Sequence, residues 1–265
     1  MPVKVHRWVM RSADRTSAST AEDCVIPLDR MTHGHVKTSV TPVSVSIPWR
    51  VDNFTSANNN LVFQLKEVTS TEVWEVTLPA GYYTGARLAS YIQNELRTMS
   101  VPGSATFVQA EFAVEYNSSS NLFTIEASTA AGLSWQLVSG STTTNLFTQM
   151  GFAGQLDTSY TVSETADAHP SLEHTHNVHI AVNNVRNTYS SSRNQASNRI
   201  ILSIPVTVGH GGLVTWESDH SSALIHLEDQ PSQLELTLLD DDYNVLDNNE
   251  FDWCITFKAL LTFNR

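Results

Sequence analysis

Between Val73 and Met99 the hydrophobic period of the chain changes in mid-run, and that change restricts the folds open to it. Trp74, Val76 and Leu78 alternate with Val73, Glu75 and Thr77, the two-residue beat of a half-buried strand. Pro79 cannot donate to a ladder and Gly81 tolerates positive φ, so the strand ends there. From Thr84 onward Leu88, Tyr91, Ile92, Leu96 and Met99 recur at helical spacing. Thr84 is the expected N-cap, and Met99-Ser-Val-Pro102-Gly103 the expected stop. Burying each large side chain is worth about 1.5–3 kcal/mol. Propensity differences amount to a few tenths, so packing fixes this helix, and the expected place for it is across the open end or edge of a sandwich. Gly81 and Gly85 lack the spacing and the following Lys of a phosphate cradle.

This is the one long helix the sequence supports. Elsewhere short alternating runs are separated by turn residues. Val43 to Val51 reads as a strand, with Pro48 marking an edge or bulge, and Leu61 to Leu65 as the next. Phe107 to Tyr116 and Leu122 to Glu126 flank a polar turn and read as a hairpin. Leu133 to Leu137 is a short strand, and Asn145 to Met150 a brief helical turn closed by Gly151. Order returns with Ile200–Val208, Leu213–Trp216, Ala223–Leu227, Leu234–Leu238 and Trp253–Phe263. About ten short strands and one helix fit an all-β, two-sheet antiparallel sandwich, with the jelly roll its favoured member. Residues 1–40 keep no steady period and read as an N-terminal arm. Residues 41–265 read as a single jelly-roll domain, within which 153–198 form a long polar insertion or loop.

The net charge of -12 argues against a general nucleic-acid binder, whose surface needs excess Lys and Arg. The charge is uneven: residues 1–40 hold six Lys or Arg against four acids, on an otherwise acidic body. Charged residues are only 16% of the chain, and Ser, Thr and Asn fill the gap, a surface common in extracellular β domains and in proteins that pack into shells. Met-Pro-Val-Lys-Val-His-Arg has no apolar core of a secretory signal, and no apolar run is long enough to span a membrane. Cys24 and Cys254 exclude a disulfide framework and paired-cysteine zinc sites. One bridge between them and two free buried thiols both fit the sequence.

Taken in order, several segments carry a resemblance. They are Trp49–Asn53, Asn58-Asn-Asn-Leu-Val-Phe63, and Val76-Thr-Leu-Pro79-Ala-Gly81-Tyr-Tyr-Thr84 with its Leu88, Ile92, Leu96 helix. Val114-Glu-Tyr-Asn117, Leu122-Phe-Thr-Ile125 and Leu146…Met150-Gly-Phe152 follow. Last come Leu236-Thr-Leu-Leu-Asp240-Asp-Asp-Tyr-Asn244-Val-Leu246 and Phe251-Asp-Trp253-Cys-Ile-Thr-Phe257. This order resembles the penton and penton-like minor capsid proteins of large double-stranded DNA viruses, virophages and related transposons, over roughly residues 43–152 and 200–263. The resemblance implies a single jelly roll forming a homopentamer at the icosahedral five-fold vertex of a virion. It implies contacts with double-jelly-roll major capsid proteins and with minor capsid proteins, and no chemistry. A minor or cement capsid protein on the same fold, or a β-sandwich module binding carbohydrate or receptor, are the other functions to weigh.

No catalytic, cofactor or metal residues are expected. Asp240-Asp-Asp242-Tyr-Asn244 opens like a calcium loop, but Val245 and Phe251 stand where Gly and Glu are needed, so a solvated hairpin turn is the reading. His169, His174, His176 and His179 are bunched, yet no acid ligand follows the His174-Thr-His176 pair as a cupin site would require. Asp219-His220-Ser221 has the residue types of a hydrolase triad, but neighbours in sequence cannot orient one another. Asn53-Phe-Thr55 and Asn117-Ser-Ser119 match the glycosylation pattern and read as turn residues.

Overall fold

The computed structural model describes residues 3–27, 37–56, 61–68, 73–98, 111–128, 134–139, 146–160, 162–172, 175–182, 200–218, 224–227 and 233–262. The chain forms two compact units, Met1–Val51 with Thr175–Arg265, and Asp52–His174. The sequence reading had a single domain over 41–265. The second unit is instead inserted between two strands of the first.

The first unit is a complete jelly roll. One sheet has the order β1 (Val3–Arg11), β16 (Cys254–Thr262), β3 (Lys37–Pro48), β13 (Leu213–Glu217), with β14 (Ile225–His226) also on β3. The other runs β12 (Ile200–Pro205), β11 (Asn177–Val182), β15 (Gln233–Leu239), β2 (Asp23–Pro27). All pairings are antiparallel. Strands β1, β3, β13 and β16 alternate in chain order with β2, β11–β12 and β15 on the opposite sheet, the eight-strand jelly-roll path. One core joins the two sheets. Trp8, Met10, Val45, Ile47, Val214, Ile255 and Phe257 from the first meet Ile26, Val178, Ile180, Ile204, Leu236 and Leu238 from the second.

The supposed arm is therefore structural: β1 pairs with β16 along its whole length, from Val3 opposite Thr262 to Arg11 opposite Cys254. The sequence hid this strand because both of its faces carry apolar residues. Trp8 and Met10 point into the core while Val5 and Val9 point outward, which erases the two-residue beat.

The second unit holds a four-stranded sheet ordered β5 (Trp74–Thr77), β4 (Val62–Glu67), β8 (Trp135–Val138), β9 (Ser159–Tyr160). A three-stranded sheet, β10 (Ser163–Thr165), β7 (Leu122–Ser128), β6 (Glu111–Asn117), completes its strands. Helix α1 (Gly85–Thr98) and the single turn α2 (Leu146–Gln149) share their core through Leu88, Ile92, Leu96 and Phe147, against Phe63, Phe112, Phe123 and Trp135. Helix α1 is a core element of the second unit. Thr84 caps it as expected: its hydroxyl accepts from the Arg87 N–H at 3.3 Å and its carbonyl from Leu88 at 2.9 Å. On the β6 side, Val114 N–H donates to Gln93 Oε1 and Arg97 Nε donates to the Phe112 carbonyl. Gly85 is required where α1 meets Tyr116, since a Cβ there would lie 2.7 Å from the ring.

Residues 153–198 are not one loop. They contain β9, β10 and β11 and cross from the second unit into the first; residues 183–199 lie outside the described residues.

Candidate functional site

The acidic turn after β15 is built as a staple. Asp240 Oδ1 accepts from the N–H groups of Asp242 (2.9 Å) and Asn244 (2.8 Å), and Tyr243 sits at φ 64° to close the loop. Asp241 turns toward β11 and accepts from Asn177 Nδ2 at 2.9 Å, the Asn177 N–H at 3.3 Å and the His176 N–H. Burial alone would raise the Asp241 carboxyl; these donors outweigh it and hold the group below its ordinary value. Of the calcium-type positions, Asp240 is thus engaged in closing its own turn, while Asp241 holds β11 to that turn. Among the described residues no three His, Cys, Asp or Glu side chains gather as a metal site.

The three described histidines of this group are divided between the two units. His169 belongs to the second unit, with Nδ1 3.3 Å from the Asn121 carbonyl. His176 and His179 belong to the first, and His174 lies outside the described residues. His179 stacks on Tyr243 with ring centroids 5.2 Å apart, and its Nδ1 lies 2.7 Å from Ser203 Oγ on β12. Burial lowers the imidazole below its ordinary value, and the Asp241 and Asp240 carboxylates oppose that shift. Ser203 and His179 are cross-strand partners that sequence reasoning did not connect, because only the β11–β12 register brings them together. A nucleophile and a base are in reach, but Asp241 is hydrogen-bonded to Asn177 and His176, so this is a surface hydrogen bond rather than a triad. Asp219, His220 and Ser221 lie outside the described residues.

Both glycosylation-type asparagines serve the backbone. Asn53 is buried and its amide pairs with Tyr83. Asn117 Oδ1 accepts from the Ser119 and Ser120 N–H groups in a side-chain-capped turn. Cys24 on β2 and Cys254 on β16 belong to different sheets, and both thiols are free.

What remains as a functional surface is the outside of the jelly roll. Among the described residues strand β1 pairs only with β16, which leaves its other edge without a described partner strand. Its outward face carries Val5, Arg7, Val9 and Arg11, all exposed, with exposed Lys258 opposite Arg7 on β16. An open edge with exposed apolar residues invites a partner chain. The Val–Arg alternation at odd positions was the signal that could have found it.

A solved structure agrees with this topology. The crystal structure of the mavirus penton protein aligns with a TM-score of 0.52 over 99% of this chain and 99% of its own, at 11% identity. The fold is that of the mavirus penton protein. A cryo-electron-microscopy structure of the Sputnik virophage supplies a second alignment, at TM-score 0.47 and 12% identity over 98% of this chain and 97% of that one. No family model and no curated protein matches the sequence. The sequence expectation of an antiparallel jelly roll is met, and what the likeness carries at this identity is the fold.

Proposed function

We propose that the protein is a structural component of an icosahedral virus capsid and forms the homopentameric capsomer of the five-fold vertex. The observation that carries the reading is the complete eight-strand jelly roll together with a fold shared with a penton protein along nearly the whole chain, inserted unit included. The polar, charge-poor composition and the open β1 edge support it, since both suit a protein that packs against copies of itself. In this reading the protein acts by assembly: major and minor capsid proteins surround the ring, and neither catalysis nor nucleic acid is involved. In a five-fold ring each subunit meets the next through two different surfaces.

The test is the mass of the purified protein by light scattering. A species near five times 29.3 kDa is the expected result. A monomer that persists at high concentration, and that is absent from vertices when labelled in particles, would remove the vertex assignment.

A further inference from the structure

We infer that the two flanks of the jelly roll, the β1 edge and the β12–β13 edge, are the two halves of one self-contact, so that a second copy of this chain docks its β12–β13 flank on the first copy's β1 flank. The inference rests on the ring reading above and names the surfaces that would close it.

The two edges lie at opposite ends of the sandwich. In one sheet β1 and β13 are the terminal strands, and the short connection from β12 to β13 puts β12 on the β13 side. Among the described residues neither flank has a further strand on it, and both are unusually apolar for edges, which proteins ordinarily blunt with charge, Pro or bulges. On the first, Val5 is 59% and Val9 51% exposed. On the second, Ile200, Ile201 and Leu202 of β12 are only half-buried, Leu213 of β13 is 50% exposed, and Leu224 before β14 is also exposed.

Charge selects how they meet. Residues 3–11 contain Lys4, Arg7 and Arg11 and no acid, and Lys258 stands beside them. Among the described residues the ion pairs are those of Arg15 with Glu250 and Asp252, which leaves Arg7, Arg11 and Lys258 outside any pair. Asp23 on neighbouring β2 is occupied, accepting from the Thr237 hydroxyl at 2.8 Å. The opposite flank, residues 200–218, contains no Lys or Arg and carries exposed Glu217. A two-fold contact of β1 on β1 would set Arg against Arg across an apolar patch, and like charges facing one another are costly. A contact of β1 on β12–β13 sets the cations against an apolar edge with the carboxylate of Glu217, the Arg50 guanidinium at the Gly211 end being held over the Phe251 ring. Unlike flanks that attract while like flanks repel give a head-to-tail contact, the kind that a closed ring requires.

The experiment is cross-linking with a short bifunctional maleimide. Val9→Cys and Leu213→Cys are introduced singly and together in a Cys254→Ser background, and the products are run on a denaturing gel beside light scattering. Both positions are about half exposed, so folding is preserved. The double variant is expected to give a covalent ladder ending at five subunits, and each single variant to remain at the monomer position. A covalent dimer from Val9→Cys alone would overturn the inference, because it would show β1 meeting β1. A pentameric mass with no ladder would also overturn it and leave the ring reading standing, with closure through another surface. A monomeric mass with no ladder would remove both.

Discussion

Asn53 and Tyr83 are joined by two hydrogen bonds running in opposite directions, each 2.8 Å long. The Tyr83 N–H donates to Asn53 Oδ1, and Asn53 Nδ2 donates to the Tyr83 carbonyl. A side-chain amide here substitutes for a neighbouring strand, and a bridge between Phe54 and Gly81 continues the pairing. Together they fix the turn between β5 and α1, with Gly81 supplying a φ of 158°. Asn53→Ala leaves a buried donor and a buried acceptor unmatched, and is expected to cost about 2–4 kcal/mol. Asn53→Asp keeps the acceptor and should lie between it and the wild type. Denaturant titration followed by tryptophan fluorescence measures both; equal stability of Asn53→Ala and wild type would contradict this account of the turn.

Asn248 plays the matching part in the jelly roll. It is fully buried, its Nδ2 donates to the Pro48 carbonyl at 2.9 Å, and its Oδ1 accepts from the Arg50 N–H at 2.8 Å. Pro48 ends β3, so this one side chain holds the chain where it leaves the sheet toward the insertion. Glu22, also buried, accepts from the N–H groups of Asn248 and Glu250 and completes the cluster. Asn248→Ala should destabilise the first unit by about 2–4 kcal/mol. Arg15→Ala should cost under about 1 kcal/mol, because its carboxylate partners Glu250 and Asp252 are exposed. Hydrogen exchange at β3 and β16 amides checks the contrast, and the ordering Asn248 above Arg15 is the point at risk.

Gly151 sits at φ +98°, and a Cβ there would stand 2.0 Å from the Ala168 carbonyl oxygen. Neither strain nor clash can be relieved by a side-chain rotation, since the obstacle is backbone. Gly151→Ala is expected to cost at least about 3 kcal/mol, and Gly209→Ala, whose Cβ meets nothing within 4 Å, to change little. Limited proteolysis of the two variants side by side would show the difference as early cleavage in residues 52–174 of the first alone.

Burial pushes the Cys24 thiol up to about 12, with Asp23 adding to the rise. At pH 7 only about one thiol in 100,000 is then the reactive thiolate. Cys254 is half-buried, and burial raises its thiol as well. In the native protein an aromatic disulfide reagent should label Cys254 slowly and Cys24 hardly at all, and both should react at once after denaturation without reductant. Fewer than two thiols released on denaturation would show a bridge that the structure does not contain.

The sequence was most legible where one face of a strand is buried and the other wet. β4, β5, β15 and the start of α1 fall within a residue or two of their expected places because Phe63 and Leu65, or Trp74 and Val76, alternate with polar neighbours. It was least legible where a surface must be apolar for another reason. Val5 and Val9 broke the pattern of β1, and β2 shows only Cys24 and Ile26 as inward residues, too few to announce a strand. The domain division was hidden for a different cause: β3 and β11 are separated by the whole insertion, and no composition shift marks where one unit gives way to the other. The side chains that hold the turns, Asn53, Asn248 and Asp241, are polar residues with partners up to 200 positions away in sequence. Local patterns carry no record of such partners.

Two titrating groups near the β11 terminus should give the jelly roll an acid-sensitive stability in two separate windows. The folded His179 has its imidazole lowered by burial, so below its ordinary 6.5 the unfolded chain binds a proton that the folded chain resists. Its contribution is therefore fully present above 6.5 and declines as pH falls below it. Asp241 is also held below its ordinary 3.8, by Asn177 and His176, so its contribution persists above that value and is lost only as pH falls further. His179→Gln should flatten the loss of stability between pH 7 and pH 5 while leaving the decline below pH 4, and Asp241→Asn should do the reverse. Melting curves of the three proteins at pH 7, 5 and 3.5 decide the matter. A His179→Gln profile that parallels the wild type from pH 7 to pH 5 would place the acid sensitivity on other groups.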